Sequence, residues 1–198
     1  MRCSHAVDDK RVLRTGVWTA RASRPAVDRE ADGALLASHA TDLLALAAEP
    51  DPTVAAYAGV AEEPPTRQLL DALIRHGARV ILPVVIDDQE ALDWAPYEEW
   101  EALATVRWGL LEPTTPTLGP STIDAAALVV VPALGVDRQG NRLGRGKGFY
   151  DRTLARVPDR SRRIAVVYAG EIFDRVPHEP HDEPVGWALT PEGLIELG

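Results

Sequence analysis

The chain has 198 residues, 45% of them hydrophobic and 26% charged, enough for one globular domain with a sizeable buried core. Lysine and arginine number 21 against 30 aspartates and glutamates, and the formal net charge of −9 argues against nucleic acid or an anionic membrane as a bulk partner. A single cysteine, Cys3, excludes an internal disulfide framework, and no stretch approaches the roughly 18 apolar residues of a membrane span or the apolar core of a signal peptide, so a cytoplasmic protein is expected.

Residues 1–9 lack periodicity and are expected to fray, while Lys10 to Arg24 reads as a first helix despite Gly16 and Thr19. Pro25 and Asp28 suit a helix start, and Leu35, Leu36, Leu43 and Leu46 recur at helical spacing as far as Ala48, where Pro50 and Pro52 end the run. Val54 to Val60 reads as a strand. Thr66 to Arg75 reads as a helix with Leu69, Leu70, Leu73 and Ile74 apolar and Gly77 as its stop. Arg79 to Ile86 is almost continuously apolar, as a strand covered on both faces would be, with Pro83 marking a kink or an edge. Residues 87–126 scatter Trp94, Trp100 and Trp108 among charges and prolines and suggest a lobe over a ligand site. Ala127 to Val131 is a buried strand, followed by a polar glycine-rich loop and a helix through Leu154; Arg163 to Ala169 supplies another strand. The tail holds a loop of prolines, histidines and acids, a short strand near Val185 to Leu189, and a capped stub opening at Thr190 and Pro191. Alternating strands and helices predict a single α/β domain with a mostly parallel sheet.

Pro132 to Asp151 carries the most chemical information. Gly135, Gly140, Gly144, Gly146 and Gly148 are interleaved with Arg138, Arg142, Arg145 and Lys147. Closely spaced glycines let backbone N–H groups turn onto an anion while the basic side chains neutralise it, so the loop fits a polyphosphate, with a solvated basic turn as the alternative. Two familiar phosphate motifs are excluded. Gly148, not Ser or Thr, follows Gly146-Lys147, and the glycines at 144, 146 and 148 do not form G-x-G-x-x-G. Phe149, Tyr150 and Asp151 then offer two rings to stack on and a carboxylate for a magnesium ion, or simple core packing and a local ion pair.

The whole stretch Val131-Pro132-Ala133-Leu134-Gly135-Val136-Asp137-Arg138-Gln139-Gly140-Asn141-Arg142-Leu143-Gly144-Arg145-Gly146-Lys147-Gly148-Phe149-Tyr150-Asp151-Arg152 closely resembles the signature of the 5-formyltetrahydrofolate cyclo-ligase family. The resemblance continues in the same order along the chain, at Lys10-Arg11-Val12-Leu13-Arg14, Glu63-Pro64-Pro65-Thr66, Leu82-Pro83, Leu111-Glu112-Pro113 and Pro180-His181-Asp182. Val136 stands where the family usually has Phe, Phe149 replaces a common Tyr, and Gly170-Glu171-Ile172 stands where a Glu-Gln pair is expected.

The resemblance implies a three-layer α/β/α, CoA-transferase-like fold and an ATP- and magnesium-dependent closure of 5-formyltetrahydrofolate to the 5,10-methenyl form. In that reaction the formyl oxygen is phosphorylated, nitrogen 10 attacks and phosphate leaves. It implies Arg145 and Lys147 as catalytic residues, and an ATP site drawn from Lys10, Arg14, Arg142, Gly144, Arg145, Gly146, Lys147, Gly148, Phe149 and Tyr150. Ala58, Glu63, Arg145, Phe149 and Tyr150 are the implied folate contacts, and Asp151 and Asp182 the implied magnesium ligands. Without it, Lys10 and Arg14 would read as a solvated helix face, Glu63 as a helix-start acid and Asp182 as an exposed acidic turn. Trp94 and Trp108 are candidates to flank a flat ring or to pack. His178 and His181 do not make a zinc site, since Pro180 separates them and no thiolate is near. The expected partners are small molecules met by a monomer. Two alternatives stay open: a relative that binds folate or nucleotide without catalysis, and an ATP-dependent enzyme acting on another flat heterocycle.

Overall fold

Seven strands form one sheet, and side-chain alternation along them decides which layer covers which face. The computed structural model describes residues 3–87 and 91–198. Three helices open the chain: α1 (Cys3–Ala22), α2 (Ala26–Ser38) and α3 (Ala40–Ala45). They are followed by β1 (Thr53–Ala55), α4 (Arg67–Arg75), β2 (Arg79–Val84) and β3 (Asp93–Pro96). A small hairpin, β4 (Leu103–Thr105) and β5 (Leu111–Pro113), precedes β6 (Leu128–Pro132). The glycine-rich segment contributes β7 (Gly135–Asp137), β8 (Arg142–Leu143) and α5 (Phe149–Leu154). Then come β9 (Arg163–Val166), β10 (Ile172–Phe173), β11 (Trp187–Thr190) and β12 (Gly193–Glu196).

The seven-stranded sheet runs in the order β12-β11-β9-β6-β1-β2-β3, parallel in its interior and antiparallel at its two outer pairs, β2–β3 and β11–β12. Val54, Val80, Leu128, Val130 and Ile164 face one way, onto Leu36 and Leu43 of α2 and α3 and Leu69, Leu70 and Leu73 of α4. Their neighbours Ala55, Ile81, Val129, Val131 and Ala165 face the other way, onto Leu154 of α5, Ile123 of a 3-10 stretch and Trp94 of β3. This is the three-layer arrangement expected, with one correction of emphasis: the second layer is built largely from short helical turns and loops.

Several boundaries move, each for a physical reason. Helix α1 already runs from Cys3, so most of the segment expected to fray is helical; extending an existing helix by about two turns costs little once it is nucleated. The run from Pro25 to Ala48 breaks at His39, whose ring approaches the Pro191 carbonyl at 3.2 Å, and becomes two helices. The expected helical stub at Thr190 is instead a hairpin: the Thr190 hydroxyl accepts the Glu192 N–H at 3.1 Å and β12 returns antiparallel along β11. A Thr-Pro pair carries the same signal for a helix cap and for a tight turn. Pro83 is tolerated inside β2 because pairing with β1 ends at Ile81, so Pro83 lies beside β3 alone. Within the stretch expected to form a lobe, residues 91–126 supply edge strand β3 of the main sheet and the separate β4–β5 hairpin.

Helix α1 is clamped by a buried ion pair. The Arg21 guanidinium donates to both carboxylate oxygens of Glu171, at 2.6 and 2.7 Å, and to the Ala133 carbonyl at 2.7 Å, just past β6. The other Glu171 contact is the Tyr168 N–H at 2.9 Å. Removing one partner of such a pair strands a buried charge, so Glu171→Ala is expected to destabilise the fold by about 3–5 kcal/mol, read as a lower urea midpoint with unchanged slope.

Candidate active site

Strand β1 leads the chain away toward β2, whereas its neighbour β6 leads it the opposite way toward β9. Such a switch point leaves a crevice at the carboxyl ends of the strands, because the two following loops part from one another. A cavity of about 410 Å³ lies there, walled by Tyr57, Ala58 and Glu63 after β1, by Pro83 and Val85 of and after β2, and by Pro132 at the end of β6 with Ala133 and Leu134 beyond it.

The glycine-rich loop closes one side. Gly146 and Gly148 have φ of +93° and +72°, a left-handed backbone that L side chains rarely adopt, so the reversal at Lys147 requires glycine on both flanks. A Cβ on Gly148 would also sit 2.8 Å from the Arg152 guanidinium. Helix α5 has only six residues, so side-chain cations rather than a helix field carry the positive charge here. Arg14 reaches over from α1 and donates to the Gly144 carbonyl at 2.9 Å. Arg142 is buried against Asp151 at 2.7 Å and the Pro132 carbonyl at 3.3 Å, while its Nε has no hydrogen-bond partner among the described residues. Arg145 spans the crevice to pair with Glu63 at 2.9 Å and lies 4.9 Å from the Trp18 ring. Lys147 makes no ion pair among the described residues; its ammonium stands 4.7 Å from the centre of the Trp108 ring.

The other side is acidic and aromatic. Glu63 is buried, accepts the Val60 N–H at 3.0 Å, and its carboxyl is pushed above the ordinary range by burial, opposed by Arg145 and by that N–H. Burial likewise pushes the Tyr57 and Tyr150 phenols up, so both remain protonated donors at neutral pH. The Tyr57 hydroxyl has no hydrogen-bond partner among the described residues. Trp108 is half-exposed, tilted against Phe149 at 6.1 Å, and holds φ of +60°, a costly conformation for so bulky a side chain and one that collects at functional sites.

The structure thus brings Ala58, Glu63, Arg142, Gly144, Arg145, Gly146, Lys147, Gly148, Phe149, Tyr150 and Asp151 to one cavity. Arg14 touches the loop from behind. Lys10 and Asp182 lie outside the cavity wall and are bound to each other at 2.6 Å, with Glu179 at 3.2 Å. Trp94 is fully buried in the core, away from the cavity wall, whereas Trp108 lines the cavity. Glu171 serves Arg21 and is absent from the wall. Sequence reasoning missed Trp18, Tyr57 and Glu112 as wall residues. Trp18 was findable, since it lies one helical turn beyond Arg14 on the same face of α1.

The family model for the 5-formyltetrahydrofolate cyclo-ligase family matches residues 6–191. A curated 5-formyltetrahydrofolate cyclo-ligase of Mycolicibacterium smegmatis is 41% identical over 193 residues, covering 95% of this chain and 97% of that protein. The solved 5,10-methenyltetrahydrofolate synthetase of Aquifex aeolicus superposes with a TM-score of 0.76 at 25% identity, over 94% of this chain and 92% of that one. The synthetase of Mycoplasma pneumoniae shares the fold, with a TM-score of 0.70 at 22% identity over 93% and 99% of the two chains.

A carboxyl whose folded pKa is raised stabilises the fold below its unfolded value, and that contribution is lost as pH rises through the folded one. From its ordinary 4.5 upward, Glu63 should therefore make stability fall with pH, and Glu63→Gln should flatten that slope in urea denaturation series taken across the window.

Proposed function

This chain belongs to the 5-formyltetrahydrofolate cyclo-ligase family, and on that premise we propose that the cavity at the β1/β6 switch point is where it closes 5-formyltetrahydrofolate to the 5,10-methenyl form. The observation that carries the assignment is Lys147. Of the loop cations that line the cavity it is the one without a carboxylate partner among the described residues, and it is held between two glycines of left-handed backbone. A cation not already neutralised is what a triphosphate needs, because phosphoryl transfer is served mainly by positioning and charge.

The residues fit ATP. The unpartnered Arg142 Nε and the glycine turn at 144–148 offer donors beside Lys147 and Arg145, with Phe149 and Tyr150 as adjoining ring faces. ATP bound there supplies the phosphoryl group that activates the formyl oxygen toward nitrogen 10, and magnesium spreads the charge on its phosphates. Asp151, in the cavity wall, is the nearer magnesium ligand; Asp182 joins it only by sharing its carboxylate with Lys10. Arg14 fixes the loop by its bond to the Gly144 carbonyl. Glu63, tied to Arg145, accepts the hydrogen of the attacking amine, and its raised pKa suits a group that takes up that proton. Trp108 and Phe149 cover the flat ring and exclude water. The enzyme works on small molecules, and we place it in the cytoplasm as a monomer. No helix among the described residues is long and apolar enough to cross a membrane.

The test is growth of the methenyl absorbance band on mixing protein with 5-formyltetrahydrofolate, ATP and magnesium. Growth should vanish when either ATP or magnesium is withheld; growth without them, or none with them, would remove the assignment. Lys147→Ala should lower kcat by about 100- to 1,000-fold, as loss of a transition-state donor does, with the urea midpoint unchanged. Asp151→Asn should raise the magnesium concentration needed for half-maximal rate.

A further inference from the structure

The cavity wall holds two glutamates, and only one has a cation. Glu63 faces Arg145. Glu112, on β5, is only 9% exposed, and one of its oxygens accepts the Val85 N–H at 3.0 Å just beyond β2. No ion pair to Glu112 exists among the described residues, and burial raises its carboxyl above the ordinary range with the Val85 N–H as the sole opposing influence. A carboxylate offers about four lone-pair sites, of which this one uses one internally. The remaining capacity is open to the cavity, where a ligand that brings N–H groups can use it.

Position narrows what that ligand edge must be. Val85 follows β2 and the glycine loop follows β6, with β1 between them. Two strand spacings separate the carboxylate's anchor from the root of the phosphate loop, about 10 Å, a span that a flat bicyclic ring with its side arm can bridge. Glu63 and Arg145 stand at the loop end, so the donor-rich end of such a ring falls to Glu112. A ring N–H beside an exocyclic amino group presents two parallel donors, the same fork that makes guanidinium–carboxylate pairs bidentate.

We propose that Glu112 is a specificity-determining residue that accepts the paired N–H donors of the substrate's amino-pyrimidinone edge. This rests on the folate reading of the cavity, so binding is measured apart from turnover. The experiment titrates tryptophan fluorescence with 5-formyltetrahydrofolate and with its 2-desamino analogue, using the intact protein and Glu112→Gln. Glutamine keeps an oxygen for the Val85 N–H, so the wall is preserved, and an unchanged urea midpoint checks it. Loss of a hydrogen bond to a charged group costs about 10- to 100-fold in Kd, so the wild type should bind the analogue that much more weakly, Glu112→Gln should bind the parent that much more weakly, and the variant should no longer distinguish the two. The ATP affinity should stay within about twofold, because ATP meets the opposite wall. Equal discrimination by wild type and variant, or failure of the wild type to bind either compound, would overturn the proposal. Retained discrimination by the wild type alone, with no methenyl product formed, would support Glu112 while removing the ligase reading.

Discussion

Strands β1 and β6 lie side by side in parallel, yet the chain leaves their carboxyl ends toward opposite edges of the sheet. Every other feature of the site follows from that divergence. The β1 side delivers Tyr57, Ala58 and Glu63, the β6 side delivers the glycine-rich loop, and the Glu63–Arg145 pair at 2.9 Å links the two. A crevice in this position needs no special excavation of the core, since backbone hydrogen bonding is complete up to the last paired residues and fails only beyond them. Reactive groups therefore sit on short excursions from a rigid sheet, which is how a small domain can hold several charges within reach of one ligand.

Helix α1 buries cations beside its apolar residues: Leu13 and Val17 pack against Leu134, Leu143 and Val176. Lys10, Arg14, Trp18 and Arg21 recur at spacings of four, four and three and point inward, while Val12 is 63% exposed. The cations of this stripe meet five anionic or carbonyl partners: Asp182 and Glu179 for Lys10, the Gly144 carbonyl for Arg14, and Glu171 with the Ala133 carbonyl for Arg21. Buried pairs of this kind add little net stability, but they fix register, and here they set the glycine loop and the β6 terminus against the same helix. The local excess of cations explains how a chain of net charge −9 can hold a polyphosphate: long-range repulsion is screened within about 10 Å, whereas the loop cations act at contact distance.

The carboxylates divide the labour among these cations. Asp151 takes Arg142 and Asp182 takes Lys10. Asp137, fully buried, takes no cation and instead accepts the Gln139, Asn141 and Val176 N–H groups together with the Asn141 amide, holding the turn that precedes the loop. A loop so tied is preorganised, so little of the binding energy of a phosphate would go into ordering it. Lys147 at the tip and Glu112 on the far wall are left with capacity unspent, and these are the two groups a ligand would find most receptive.

The sequence by itself determined the α/β class, the strand β6 and loop that carry the charge, and the family, whereas the left-handed backbone at Gly146 and Gly148 came from the structure. The former are written in local pattern: apolar runs of strand length, closely spaced glycines and a long contiguous motif. Lys10 and Asp182 were legible as charges, but that they bind each other across 172 residues of sequence separation was not. Trp94 and Trp108 look alike in the sequence; one lies in the core because β3 turns its side chain inward beside β2, and the other reaches the cavity from the turn between β4 and β5. Thr190 signalled a cap where the pairing of β11 with β12 imposed a hairpin. Glu112 and Tyr57 became site residues only when strands distant in sequence were laid together. Propensity and motif act over a few residues, whereas which carboxylate is paired, which is stranded and which aromatic faces solvent depend on neighbours that the sheet order alone supplies.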